Sequence, residues 1–212
     1  MWFGKMMVHS ILGQILRLRR VRLRSGLEMH IQTHILSGWC VANCFPCTPR
    51  QRLLAMIAAS AADMDGLTIL FGQKAYWNYH HTFGHNVFTA VILSAAFAAF
   101  TPGRRIASFL LFVALFHLHL LMDYYGSGPG WCIPYLWPLN GPVLMNRNAW
   151  EFYSWQNITV FSVFLLWTFW IAKSKQRTPL ELAFPSLDRQ LVGLPAISSK
   201  QQGVEAFPAE RD

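Results

Sequence analysis

The sequence predicts an all-α protein, a membrane-embedded helical bundle of about four to five helices. Hydrophobic residues make up 53% of the 212 and charged residues only 13%, about half the charged share of an ordinary soluble domain. The apolar residues fall into runs bounded by proline, glycine and charge, and aromatic residues reach 15%, as in helices that face lipid. The formal net charge is +8, but the Lys and Arg are clustered at the ends of apolar runs. That distribution follows membrane topology, not a nucleic-acid-binding face, so membrane lipids are the expected partner and no nucleic acid is.

Residues 1–28 form a basic N-terminal extension, mildly apolar at first and then carrying five arginines between Arg17 and Arg24. A secretory signal places its charge before the apolar stretch, so the order is wrong for one. Two readings stay open: an amphipathic basic helix lying on anionic lipid, or a stretch ahead of a true start at Met29. Residues 29–172 are the expected membrane domain. Its first helix runs from Met29 to Phe45 and is ended by Pro46 and Pro49. Cys40, Cys44 and Cys47 have the C-x3-C-x2-C spacing of radical-SAM iron–sulfur enzymes. Those enzymes need a large α/β barrel that this chain cannot supply, so the cysteines read as small apolar residues. With Cys132 they give no clear disulfide signal.

A second helix spans Leu53 to Ala62, with small faces suited to close packing in lipid, and runs into Asp63-Met64-Asp65-Gly66. Leu67 to Asn78 reads as a loop or interfacial segment, with Trp77 and the adjoining Tyr79 as headgroup anchors. Tyr79–Asn86, YHHTFGHN, then leads into an apolar helix over 87–100, and a Pro102–Arg105 turn follows. The run from Ile106 to Met122 is short: its 17 residues reach about 26 Å against a bilayer core of roughly 30 Å. Tyr124 to Trp155, rich in Gly, Pro and Trp, reads as a structured lid or interfacial loop. Ile158 to Ala172 is the last helix. Residues 173–212 are expected to be a flexible polar tail. A soluble all-α enzyme with a greasy core is the alternative architecture.

An up-and-down bundle collects every candidate ligand at one end, which predicts a metal site there. Arg50/Arg52, Arg104/Arg105 and Lys173/Lys175/Arg177 fall at one set of turns, whereas His34, Asp63, Asp65, His80, His81, His85, His119 and Asp123 fall at the other. Positive-inside bias puts the basic end in the cytoplasm and the site on the periplasmic side. The arginines from 17 to 24, and Lys74 more weakly, run against that topology.

His119 and Asp123 are four apart, as are His81 and His85, so each pair shares a helix face. The D-x-D turn can place one carboxylate on a metal and leave the other as a bridge, an orienter of a ligand, or a base. Imidazole with carboxylate suits Zn²⁺ first, then Mn²⁺ or Fe²⁺, and the number of ligand-type groups allows one or two ions. His9, His30 and His117 read instead as hydrogen-bonded histidines of apolar helices.

The motif order T-H-x3-G (Thr33, His34, Gly38), D-x-D-G (Asp63, Asp65, Gly66), H-x4-H (His80, His85) and H-x3-D (His119, Asp123), followed by a loop containing Trp137-Pro138, resembles the YdjM-type inner-membrane metal-dependent hydrolases. The likeness covers Met29 to Ala172. The family's middle motif usually reads HRGFTHS, and here it is HHTFGHN, with His81 in place of the arginine and Gly84 in place of the threonine; Ala62 replaces the proline of the usual P-D-x-D. The resemblance implies a multi-pass inner-membrane location and metal ligation by His34, Asp63, His80, His85, His119 and Asp123. Asp65 would be a further ligand or the general base. His81 would stabilise developing negative charge where relatives carry arginine. The family is distantly similar to zinc-dependent phospholipases C, which points to a small-molecule or lipid phosphoester substrate. The expected activity is therefore hydrolysis by a metal-activated water at the membrane surface. Two rivals remain: a membrane protein that binds or transports metal without turnover, and one with no metal whose histidines are satisfied by hydrogen bonds.

Overall fold

The computed structural model describes residues 31–139 and 141–193. Both readings of the 1–28 extension, and the tail beyond residue 193, lie outside the described residues. Five helices form the bundle: α1 (Ile31–Ala42), α2 (Pro49–Ser60), α4 (Val87–Ala99), α5 (Arg105–Gly126) and α6 (Trp155–Lys175). A 3-10 segment (Ala61–Phe71) continues α2, a short α3 (Gln73–Tyr79) follows it, and α7 (Pro185–Leu191) closes the described chain. The only strands among the described residues, β1 (Cys132–Ile133) and β2 (Leu144–Met145), pair antiparallel with Cys132 opposite Met145. Three stretches are long and apolar enough to cross a membrane: Pro49–Phe71, Arg105–Gly126 and Trp155–Lys175.

Several boundaries differ from the sequence expectation for local physical reasons. Pro49 begins α2 instead of ending α1. Its missing N–H falls in the first turn, where it would lack an intrahelical partner anyway. Thr48 caps that turn: its side chain accepts from the Gln51 amide at 3.2 Å, and the Gln51 side chain accepts from the Thr48 amide at 2.8 Å. Leu67 to Asn78 is helical rather than a loop, apart from the break at Gly72, whose φ of 100° suits glycine. The marginal span at Ile106–Met122 is a full one. Asp123 is buried inside the bundle and does not stop the helix, so α5 has 22 residues and reaches about 33 Å.

The bundle packs through small residues. α1 lies on α2, α2 on α5, α4 on α5, and α6 on α1. Gly38 allows the first contact: a Cβ there would sit 2.5 Å from the Ala55 carbonyl oxygen and 2.8 Å from the Ala59 Cβ. Ala55, Ala58 and Ala59 are buried with Phe112 and Leu115, and Ala62 and Ala90 with Phe116 and Leu120. The outer faces stay apolar, with Leu110, Leu166, Phe169 and Trp170 exposed, as lipid-facing surfaces are. All four cysteines are free, and buried Cys40 packs beside Trp39 and Ile171.

The basic turns meet at one end. Arg104 donates to the Pro46 carbonyl at 2.8 Å, Lys175 donates to the Asn43 carbonyl, and Arg50 lies over the Phe100 ring. Arg52 is buried and grips Glu181 with two donors, each at 2.5 Å, while a third donates to the Cys47 carbonyl. That bidentate pair corrects the expectation of a flexible tail from residue 173. α6 runs on to Lys175, Glu181 is tied into the bundle, and α7 packs behind it with Asp188 buried.

Removing one partner of a buried pair leaves an uncompensated charge. Glu181→Ala is therefore expected to lower unfolding stability by about 3–5 kcal/mol, read by denaturant unfolding in detergent. A loss under 1 kcal/mol would mean that this pair does not anchor residues 176–193.

Candidate metal site

The opposite end holds the acids and histidines, supplied by four parts of the chain. His34 comes from α1, Asp63 and Asp65 from the 3-10 segment, His80, His81 and His85 from the α3–α4 connection, and His119 and Asp123 from α5. The two acids of D-x-D lie on different sides of the 3-10 segment. At three residues per turn, side chains two positions apart point about 120° away from each other. Asp63 accordingly faces His119, and Asp65 faces the connection at 80–86.

Asp65 organises that connection. Its Oδ2 accepts from the Thr82 amide at 3.0 Å and the Gly84 amide at 3.1 Å, and it lies 3.0 Å from His85 Nδ1. Its Oδ1 lies 2.6 Å from His80 Nδ1. Gly84 is required by this approach, since a Cβ there would fall 1.9 Å from the Ala62 carbonyl oxygen. Asn86 then caps α4, accepting from the Thr89 amide at 2.9 Å and donating to the Phe83 carbonyl at 2.8 Å. His81 sits between these contacts with φ 61°, a left-handed conformation unusual for a non-glycine residue.

Four side chains converge at the centre. One ligand atom from each of Asp63, His85, His119 and Asp123 lies within 4.8 Å of the others. Asp123 Oδ2 is 3.0 Å from His119 Nε2 and 3.1 Å from His85 Nε2, the two Nε2 atoms are 3.3 Å apart, and Asp63 Oδ1 is 3.3 Å from His119 Nε2. The outer nitrogens are already engaged: His119 Nδ1 with the Ala59 carbonyl at 2.8 Å, His85 Nδ1 with Asp65. In a neutral ring, donation from Nδ1 leaves Nε2 bare and turned inward, the tautomer a metal needs. The buried Oδ1 atoms of Asp63 and Asp123 have no hydrogen-bond partner among the described residues. Two inward-turned Nε2 atoms, open to a metal when the rings are neutral, and two carboxylates fit a divalent cation, so this His/Asp cluster can hold a metal ion.

The remaining expected residues surround this group. His34 stacks on His119 with centroids 3.8 Å apart, and its Nε2 lies 3.3 Å from Asp123 Oδ1. His80 is turned to Asp65 and stacks on Tyr76, outside the four. Asp65 is also outside them. With one oxygen on two amides and His85 and the other on His80, it is placed to orient both imidazoles. His81 stacks on His85 at 4.0 Å, with its Nε2 3.8 Å from Asp123 Oδ2, and neither of its ring nitrogens has a hydrogen-bond partner among the described residues.

The two central histidines of the connection are pushed in opposite directions. Burial drives the His81 imidazole well below its ordinary value, and neighbouring His85 adds to the drop. Burial also lowers His85, but its hydrogen bonds to Asp123 and Asp65 outweigh that, and the ring is raised. His117 stays out of the site, as expected, bridging the Val113 carbonyl and the Tyr135 hydroxyl at 2.8 Å each.

Several site neighbours carried no sequence signal. Trp131 is tilted against His81 and meets His80 edge-on, with centroids 4.8 and 5.7 Å away, and stacks on Trp77. It comes from the aperiodic loop after α5, where nothing marks one tryptophan among several. The Tyr135 carbonyl accepts from the Val87 amide at 2.9 Å, and the Asn157 amide on α6 donates to the Gly126 carbonyl at 2.8 Å. The first contact ties the loop to the start of α4, and the second joins α6 to the end of α5.

The YdjM inner membrane protein family matches the chain over residues 29–188, which include every residue of this cluster. The chain belongs to that family. The match also takes in Glu181 and the start of α7, as far as Asp188. No curated protein and no solved structure matches the chain.

If Asp65 acts by orienting His85, Asp65→Asn should weaken metal binding by about 10–100-fold without abolishing it, read by metal titration of the stripped protein. Complete loss would make Asp65 a direct ligand. Unchanged affinity would remove it from the site.

Proposed function

We propose that the protein is a membrane-bound metal-dependent hydrolase that cleaves a phosphoester or lipid-headgroup substrate at the membrane surface. The observation that carries this reading is the convergence of Asp63, His85, His119 and Asp123 on one point, with the outer nitrogens of both imidazoles held by fixed acceptors. A divalent ion held there, zinc first and manganese second by its imidazole–carboxylate ligation, would supply Lewis acidity and a water acidified toward about pH 7. His34 braces Asp123 from the far side, and Asp65 fixes His85.

His81 is the residue proposed to meet the reacting group. It is neutral, adjacent to the four, and not committed to a protein acceptor, so one ring N–H is available to donate to an oxygen as negative charge develops on it. Trp131, tilted against its ring at 4.8 Å, limits water on that side. The Asp63 side chain is 12% exposed, whereas those of His85, His119 and Asp123 are fully buried. Solvent and substrate therefore approach along Asp63.

Depth along the helices favours an interfacial enzyme over a transporter. From Arg105 to Asp123 is about 27 Å. From Pro49 through α2 and into the 3-10 segment to Asp63 is about 24 Å. Against a core of roughly 30 Å, the cluster lies near the bilayer face opposite the basic turns, whereas transporter sites lie near the midplane. Positive-inside bias makes that face the periplasmic one.

Metal analysis and a phosphodiester and phospholipid panel with added Zn²⁺ or Mn²⁺ test the proposal together. Asp123→Ala or His85→Ala should strip the metal and abolish hydrolysis, and full metal occupancy in both variants would exclude the site as drawn. Metal retained by the parent protein with no turnover on any phosphoester would favour a binding or transport role. His81→Ala should keep the metal and lower kcat by about 10²–10³-fold, the usual cost of one charge-stabilising donor. An unchanged kcat would remove His81 from the reaction.

A further inference from the structure

A second polar cavity lies at the basic end, on the far side of the bundle from the metal cluster. It is a cleft of about 500 Å³, lined by Arg52, Lys175, Arg177 and Arg189 against two acids, Glu181 and Asp188. Both acids are used internally. Glu181 gives its two oxygens to Arg52, and Asp188 Oδ1 accepts from the Thr178 amide at 2.5 Å. Arg52 is spent in return on Glu181 and the Cys47 carbonyl. Asp188 keeps its charge, but four basic side chains against two acids leave the cleft with a surplus of positive charge. Lys175 makes one donation, to the Asn43 carbonyl, which leaves its charge unneutralised. Arg177 Nε is buried with no hydrogen-bond partner among the described residues. A buried guanidinium N–H without an acceptor is costly, and an anionic oxygen would satisfy it with a charge-assisted bond.

The surroundings indicate which anion. The cleft opens where α6 ends at Lys175 and where α2 begins, among the clustered Lys and Arg that mark the headgroup level. Beside it is an apolar crevice of about 470 Å³ whose walls include Val41, Phe45, Leu110 and Leu111, and Cys47 lines both spaces. A basic cleft adjoining an apolar crevice at headgroup level matches a phosphate with an attached acyl chain. We propose that this end of the protein binds an anionic phospholipid, its phosphate on Arg177 and Lys175 and an acyl chain in the crevice.

The test is native mass spectrometry of the full chain in detergent, titrated with phosphatidylglycerol or with phosphatidylcholine of the same acyl chains. Phosphatidylglycerol should be retained at about tenfold lower concentration. The preference should disappear in Lys175→Gln/Arg177→Gln and persist in the charge-keeping Lys175→Arg/Arg177→Lys. It should also persist in Asp123→Ala, which separates this site from the metal cluster. Equal retention of the two lipids by the parent protein, or an unchanged preference in the double glutamine variant, would overturn the proposal. Displacement of phosphatidylglycerol by equimolar inorganic phosphate would also overturn it, by assigning the cleft to free phosphate.

Discussion

Asp123 is fully buried near the end of a membrane helix, and imidazoles from three different parts of the chain close around it: His34, His81, His85 and His119. A carboxylate cannot be held there alone, because desolvation would cost several kcal/mol. Much of the local architecture follows from that constraint. α1 approaches α2 closely enough, over Gly38, to bring His34 onto His119. The α3–α4 connection folds inward to deliver His81 and His85. α5 continues past Asp123 instead of stopping at it, which gives a helix of full bilayer length.

Asp65 is the complementary anchor. It holds the connection by two backbone amides while its other contacts fix two imidazoles, so one carboxylate sets both the path of the loop and the direction of His85. Asp63 and Asp65 leave the 3-10 segment Ala61–Phe71 in different directions within one turn. Gly84 is part of the same arrangement, because any side chain there would strike the Ala62 carbonyl. The neighbouring acids thus stand differently: Asp63 joins the cluster that can hold a metal ion, and Asp65 holds the connection behind it.

The opposite end obeys a different rule. Arginines and lysines gather where the chain leaves the membrane, and one of them, Arg52, is buried because Glu181 meets both arms of its fork. That contact turns residues after α6 from a solvated tail into part of the bundle. It also consumes the acid that would otherwise neutralise Arg177 and Lys175. The two ends of the bundle are therefore chemically distinct, one with carboxylates and imidazoles turned inward, the other with surplus positive charge at the surface.

The amino-acid sequence by itself determined the helical membrane class, the grouping of basic turns at one end and of acids and histidines at the other, and the candidacy of His34, Asp63, Asp65, His80, His81, His85, His119 and Asp123. Those features rest on composition, apolar run length and helical spacing, which are local. Tertiary structure alone decided that His80 and Asp65 face each other outside the central four, that Trp131 covers His81, and that Glu181 ties residues after α6 to Arg52. Each of these depends on a contact between segments far apart in the chain, and neither the spacing of residues nor their type encodes which distant partner they meet. The role of each ligand-type residue came from which carboxylate or carbonyl lay behind its ring, a property of packing and not of sequence.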